Sequence, residues 1–535
     1  MNVRDAALDV MRSLGMWTVF GNPGSTEVSF LTDLPDDLEY VLALHEGSVV
    51  GIASGYALGR GKPAFVNLHT APGLGNATAA LANARDCRAP LVVVVGQQDR
   101  RHLAHAPFLA GRALERLAGD YPVWSTLPVR AQDVPGAIAR GYHEAMTGRG
   151  PAIVVVPMDD WLAEADPLAA AAPTEVLRPC RVMPEDVRPI AQLLAGSGAP
   201  AIVVGAGADS CAAWEAIVTL AEALRCPVWQ EPFGSRAGFP QDHPLFAGHL
   251  PWRRRALRER LAGHDFVLAI GTHAFRTYLF DDPVELVAPG TRVAVLSDDP
   301  AEIHRSACDV ALLAAVGPAC AALAEQLPAR EVARLERLRA PDPPDPPPPA
   351  PGEPLLPAHV LSALAERLPA DAVLVEETPS SRPELLERIP ARAPLGFVST
   401  ANGGLGFGLA GAIGLRMAFP ERPVVGVIGD GAAMYAIQAV WSAAHYRVGV
   451  LLIVMSNGGY AIMDAQACER GGAPPWPRFD GTDVAGIARC MGCASVRVTG
   501  HPELIHTLDE VMPGLAQRRE PLLVEIALGN GVNSR

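Results

Sequence analysis

The stretch Val424-Val425-Gly426-Val427-Ile428-Gly429-Asp430-Gly431 is an apolar run that ends in Gly-Asp-Gly. A helix-like stretch, Tyr435–Tyr446, follows it. Then comes a second apolar run, Val450–Met455, ending in Ser456-Asn457-Gly458-Gly459-Tyr460. Continuous apolar runs separated by a helical segment are the pattern of parallel strands covered on both faces. Asp430 and Asn457 then stand at the carboxyl ends of two strands, where open parallel sheets bind their ligands. A carboxylate and an amide oxygen are hard donors suited to Mg²⁺, which keeps positions open for phosphate oxygens. The glycines let an anion approach the backbone, and a helix starting after Gly431 would turn its positive end toward it. Alone, a Gly-Asp-Gly tripeptide is an ordinary strand-end turn. The order strand, turn, helix, strand, Asn-Gly is what gives it weight.

The same alternation runs outward in both directions. Further strands are expected at Ala372–Glu376 and Leu522–Ile526. Upstream, they are expected at Trp17–Phe20, Tyr40–Ala43, Ala64–Asn67, Leu91–Val95 and Ala152–Val156, with helices over Glu46–Leu58 and Gly75–Asn83. A middle set comprises Ala201–Val204, Phe266–Ile270 and Arg292–Leu296. The proline-dense segment 340–351 can be neither helix nor central strand and reads as an extended linker. Three doubly wound, parallel-sheet α/β domains follow: residues 1–168, 183–339 and 355–535, with a connection at Ala169–Arg181 and a linker over 340–354. The first and third units are candidates for distant structural cousins. Gly205-Ala206-Gly207 lacks the full G-x-G-x-x-G with a downstream acid, so no nucleotide site is read there.

Composition narrows the chemistry. The 535 residues carry 44 Lys+Arg against 58 Asp+Glu, a net charge of −14. That balance argues against a nucleic-acid or anionic-membrane surface. Only Lys62 is a lysine, in the turn Arg60-Gly61-Lys62-Pro63. Schiff-base chemistry needs a lysine amine and a P-loop needs G-x-x-x-x-G-K-[ST], so both classes are disfavoured. No run of about 18 apolar residues spans a membrane. The N-terminus leads straight into an amphipathic pattern rather than a signal peptide. The nine cysteines, including the isolated pair Cys490 and Cys493, read as buried thiols of a reducing cytoplasm.

The strand–GDG–helix–strand–Asn arrangement resembles the signature of thiamine-diphosphate enzymes. Five other features are similar to benzoylformate decarboxylase and its 2-oxo-acid decarboxylase relatives. They are Phe20-Gly21-Asn22-Pro23-Gly24-Ser25-Thr26-Glu27, Phe65–Asn76, Gly403-Gly404-Leu405-Gly406-Phe407, Glu377–Ser380 and Trp441-Ser442-Ala443-Ala444. The resemblance covers nearly the whole chain in order. It implies thiamine diphosphate and Mg²⁺ as cofactors, with Asp430, Asn457 and the carbonyl of Gly459 as metal ligands. Gly429, Gly431, Ala432, Tyr460 and Ser380 would line the diphosphate. Glu46, opening a helix directly after a strand, would hydrogen-bond the aminopyrimidine and activate the cofactor as a carbon nucleophile and electron sink. Pro23 and the carbonyl of Gly403 would touch the ring, and Leu405 would wedge between the two rings. Ser25 would bind the substrate carboxylate, and His69 would move protons near neutral pH. Without the resemblance, Glu46 reads as an acid in a first helical turn, Ser25 as a cap and His69 as a core histidine.

The chain departs from that pattern in its pocket. The family's second active-site histidine reads Tyr278, within Ala274-Phe275-Arg276-Thr277-Tyr278-Leu279-Phe280-Asp281. A phenol does not titrate near pH 7. Ser399, Asn402, Ile462 and Gln466 replace aromatic or small residues. The expectation is a more polar pocket that takes a small-molecule 2-oxo acid and accepts benzoylformate itself poorly. Three alternatives stand beside a decarboxylase. One is a carboligase of the acetolactate-synthase type, another a CoA-thioester lyase, and the third a non-catalytic protein on the same fold. The family places Glu46 and the diphosphate site on different subunits. A homodimer is therefore the minimum active unit, with a homotetramer expected.

Overall fold

A computed structural model describes residues 1–167, 175–280, 282–327 and 338–529. The end of the first unit at 168, part of the connection Ala169–Arg181, and Asp281 lie outside the described residues. Three six-stranded sheets are present, with every pairing between their strands parallel. The first holds β1 (Thr18–Gly21), β2 (Glu39–Leu42), β3 (Ala64–Leu68), β4 (Leu91–Gln97), β5 (Trp124–Thr126) and β6 (Pro151–Pro157). The second holds β7 (Pro200–Val204), β8 (Val228–Gln230), β9 (Phe246–His249), β10 (Phe266–Ile270), β11 (Arg292–Ser297) and β12 (Val310–Leu313). The third holds β13 (Val373–Glu377), β14 (Phe397–Ser399), β15 (Val424–Gly429), β16 (Leu451–Ser456), β17 (Ala494–Val498) and β18 (Leu522–Ala527). Inner strands such as β4 and β6 are buried at every position, which is why their valine-rich runs do not alternate.

The first sheet is ordered β2-β1-β3-β4-β6-β5 and the third β14-β13-β15-β16-β18-β17. Strand for strand these are the same topology, so the first and third units are indeed structural cousins. The middle sheet, β12-β11-β10-β7-β8-β9, is a different, doubly wound order whose direction of winding reverses between β7 and β10. The loop at that crevice packs against a residue of the first domain. A Cβ on Gly207 would stand 2.8 Å from Arg88 Nη1. Arg88 is buried and pairs with Glu302 at 2.5 Å and Asp299 at 3.3 Å.

The first and third domains meet through one helix from each. Helix Glu46–Arg60 follows β2, and helix Phe407–Ala418 follows β14, the equivalent strand. They cross on small residues. A Cβ on Gly55 would overlap the carbonyl of Gly411, and one on Gly414 would overlap the carbonyl of Ile52. A Cβ on Gly51 would lie 2.7 Å from that of Ala410. One hydrophobic core runs through this contact, from Phe20 and Val66 to Ile413 and Val454.

Two expectations need correction. The helix expected over Tyr435–Tyr446 is broken: a single turn, Asp430–Ala433, is separated from Ala439–His445 by tight i→i+3 turns. The buried positions Ala433, Ala436, Ile437, Ala439, Val440 and Ala443 fall within one arc of about 160° on a helical wheel, so the spacing reads as one amphipathic helix although the backbone turns between the two segments. The cysteines are also not uniformly buried: Cys87, Cys226, Cys320 and Cys493 are, whereas Cys180, Cys211, Cys468 and Cys490 are exposed. The proline segment 341–350 has neither helix nor strand, as its composition requires. Among the described residues no helix is long and apolar enough to cross a membrane.

Candidate active site

A cavity of about 1090 Å³ opens between the middle and third domains, at the carboxyl ends of β13, β15 and β16. Asp430, the residue after β15, is 4 % exposed. Its carboxylate accepts from the backbone N–H of Gly431 and of Gly458, both at 2.7 Å. Burial lifts its carboxyl above the ordinary range. Asn457 follows β16, and its Oδ1 accepts from Gly459 N–H at 3.1 Å. A Cβ on Gly431 would stand 2.8 Å from the Tyr460 ring, so only bare backbone fits there. Among the described residues no cluster of three or more His, Cys, Asp or Glu is placed to hold a metal. A cation at this spot would take one carboxylate, one amide and backbone oxygens, a donor set that suits Mg²⁺ with phosphate completing the shell. These residues fit a Mg²⁺–diphosphate group.

The opposite wall is the loop from β14 to helix Phe407–Ala418. Gly403 and Gly406 have φ of +76° and +104°, which a side chain would strain. Glu377, the last residue of β13, ties this loop down. Its carboxylate accepts from the N–H groups of Gly406 (2.8 Å), Phe407 (3.2 Å) and Gly408 (3.0 Å). Burial pushes that carboxyl up to about 8 against the pull of those donors. Leu405 sits half-buried at the loop tip, and Asn402 Oδ1 caps Gly404 N–H at 2.9 Å. Ser399 also lines the wall, but its hydroxyl is already committed, donating to Glu376 at 2.8 Å and accepting from Arg382 at 2.7 Å. Ser380 Oγ accepts from Ile462 N–H at 3.1 Å, joining two more lining residues. Gln466 completes this side. From the middle domain come Arg276 and an aromatic cluster in which Tyr278 meets Phe233 and Trp252 edge-on, at 6.1 and 5.7 Å between ring centres.

The N-terminal residues form a second group. Glu46 opens its helix under the cap of His45, whose Nδ1 accepts from Gly47 N–H at 3.0 Å. The Glu46 carboxylate accepts from the amides of Asn22 (3.1 Å) and Asn76 (3.0 Å). Pro23 and Ser25 lie exposed in the turn after β1, and His69 directly follows β3. None of Pro23, Ser25, Glu46 and His69 lines the cavity around Asp430 of their own chain. The structure thus assembles two separate constellations. Sequence reading passed over Asn22, Asn76, Glu27 and Glu377. All four stood in stretches already singled out, but an amide or acid in a loop or at a strand end carries no periodic signal.

Comparison with known proteins gives the same three-part division. Thiamine pyrophosphate enzyme models match the N-terminal TPP binding domain over residues 1–115, the central domain over 187–323 and the C-terminal TPP binding domain over 385–526. A benzoylformate decarboxylase of Pseudomonas aeruginosa is 37 % identical, over 98 % of each chain. A putative acetolactate synthase large subunit of Mycobacterium tuberculosis is 29 % identical, over 96 % of this chain and 100 % of that one. The solved structure of a thiamine diphosphate-dependent 4-hydroxybenzoylformate decarboxylase from Rhodococcus jostii superposes with a TM-score of 0.92 at 34 % identity, over 99 % of both chains. The chain belongs to the thiamine pyrophosphate enzymes, in the branch of thiamine-diphosphate-dependent decarboxylases that includes benzoylformate decarboxylase.

Proposed function

We propose that the protein uses thiamine diphosphate and Mg²⁺ to remove CO₂ from an aromatic 2-oxo acid and release the aldehyde. The observation that carries this reading is the pair of complementary half-sites in one chain: Asp430 and Asn457 on a bare-backbone cavity, and Glu46 held by two amides beside His69 in the other domain. When bound, thiamine diphosphate supplies a carbon nucleophile and a sink for the electron pair that CO₂ leaves behind. Asp430, Asn457 and the Gly459 carbonyl hold the metal. Gly429, Gly431, Ala432, Tyr460 and Ser380 receive the diphosphate, while Pro23, Gly403 and Leu405 pack the rings. Glu46 accepts a hydrogen bond from a ring nitrogen, Ser25 donates to the substrate carboxylate, and His69 delivers the proton that replaces CO₂.

The substrate's side chain lies among Tyr278, Ser399, Asn402, Ile462 and Gln466. The edge-on rings of Phe233, Trp252 and Tyr278 support an aryl group. Arg276 and the Tyr278 hydroxyl favour a polar substituent on it. The metal half-site lacks Glu46, Ser25 and His69 of its own chain, which supports a homodimer with composite sites and a homotetramer built from two such dimers. Domain limits at 1–168, 183–339 and 355–535 and a cytoplasmic location go with this reading.

A carboligase is the second reading, supported by the acetolactate synthase relative and by Tyr278 standing where the family carries an imidazole. Protein loaded with thiamine diphosphate and Mg²⁺ is offered benzoylformate, 4-hydroxybenzoylformate and pyruvate, and CO₂ and products are quantified. The expected result is one aldehyde per CO₂ from the aryl acids, faster with the hydroxyl-bearing ring. Turnover confined to pyruvate, with acetolactate as product, would sink the decarboxylase reading in favour of the carboligase.

A further inference from the structure

His69 does not stand alone. Its Nδ1 lies 2.9 Å from Glu27 Oε2 and 3.0 Å from Thr26 Oγ1. Thr26 donates its hydroxyl to Glu27 Oε1 at 2.5 Å, and Gly24 N–H donates to Glu27 Oε2 at 2.9 Å. Glu27 is 1 % exposed and Thr26 fully buried, whereas the His69 side chain keeps 15 % of its surface open. Two glycines make the fit possible. A Cβ on Gly24 would overlap the His69 ring, and one on Gly96 of β4 would overlap Glu27 Oε1. Tyr40, whose buried hydroxyl has no partner, is the other titratable group whose charge Glu27 opposes. Burial raises the Glu27 carboxyl, and its neighbours Thr26, His69 and Gly24 pull it back.

We propose that Glu27, braced by Thr26, is the positioning residue that fixes the His69 ring. It accepts a hydrogen bond from Nδ1–H, which leaves Nε2 as the nitrogen that holds or delivers a proton on the open side. An imidazole donating Nδ1–H to a carboxylate is locked in one tautomer and one orientation, and its protonated form is stabilised by the adjacent negative charge. The inference rests on the reading of His69 as the group that moves the proton.

The test is a double-mutant cycle on the cofactor-loaded enzyme with an aryl 2-oxo acid. Glu27→Gln keeps the shape and removes the charge. It is expected to lower kcat about 10- to 100-fold with KM changed less than about threefold, and to shift the acidic limb of the kcat profile. Thr26→Val, a milder change, is expected to lower kcat a few-fold. In a His69→Ala background neither substitution should cost anything further, because both act through the imidazole. An independent loss of the same size in that background, or Glu27→Gln with unchanged kcat and pH profile, would overturn the proposal. Full activity of His69→Ala alone would instead refute the reading it rests on. Should Glu27→Gln fail to fold, the Thr26→Val cycle decides.

Discussion

The role proposed for Glu46 depends on how its carboxylate is held. Two amide N–H groups, from Asn22 and Asn76, hold its carboxylate in one orientation. Glu46→Gln would face those donors with an amide and could no longer drive the ring's tautomer. Turnover is expected to fall at least about 100-fold while the circular dichroism spectrum stays unchanged; undiminished turnover refutes the assigned role. At this scale the sequence was most legible where chemistry and position coincide. Asp430 and Asn457 stand out because each follows an apolar strand. Ser399 was read as a pocket residue from its place in the chain, yet its hydroxyl belongs to Glu376 and Arg382, pairings made across β14 and β13 that no local pattern announces. Glu377 was illegible for the same reason: its partners lie about thirty residues downstream.

At the scale of elements, the strands read correctly were mostly the central, valine-rich ones, because burial on both faces leaves a continuous apolar run; the edge strand β2 was also read, from its short apolar run. Those missed were β5, β8, β9, β12, β14 and β17. All but β8 lie at a sheet edge, and β5, β8 and β14 have three residues each, so burial wrote little into them. The helix crossing was likewise invisible, since Gly51, Gly55 and Gly414 weaken a helix in isolation and make sense only when a partner backbone is known. That contact makes a prediction. Gly55→Ala places a methyl group against the Gly411 carbonyl and is expected to cost about 1–3 kcal/mol, read as a lower thermal midpoint. Gly196→Ala, at a helix end with nothing within 4 Å, is the control and should leave the midpoint level or slightly raised. Equal midpoints for the two variants would show that the crossing tolerates the added atom.

At the scale of the whole molecule, the separation of Glu46 from the cavity of its own chain has a measurable consequence. Glu46→Gln and Asp430→Ala proteins, each inactive, are mixed, dissociated and reassembled. Half of the random dimers are then mixed, each with one intact site, so activity should return to about a quarter of wild type. No recovery would mean that each chain builds its site alone. A second prediction concerns pH. His249, at the end of β9, sits in the cavity wall, where burial and the neighbouring Arg382 push its pKa down to about 3. Below its ordinary value of 6.5 the unfolded chain is the better proton acceptor, so this residue's share of stability is complete above 6.5 and is lost as pH falls toward 3. The slope is at most about 1.4 kcal/mol per pH unit. Thermal midpoints of wild type and His249→Asn should converge or cross through that window; parallel curves would count against it.

The helix crossing also says something about ancestry. Gly55 stands to Gly411 as Gly414 stands to Ile52, and Gly51 faces Ala410 head-on. That is the reciprocity of a two-fold axis, here running through one polypeptide between domains of identical strand order. The same offset that pairs Gly51 with Ala410 pairs Glu46, the first residue of its helix, with Leu405, two residues ahead of the other helix. A gene that doubled a small domain would leave such a trace: a shared strand order and a reciprocal helix contact, with an acid at the head of one helix and an aliphatic residue at the matching place before the other.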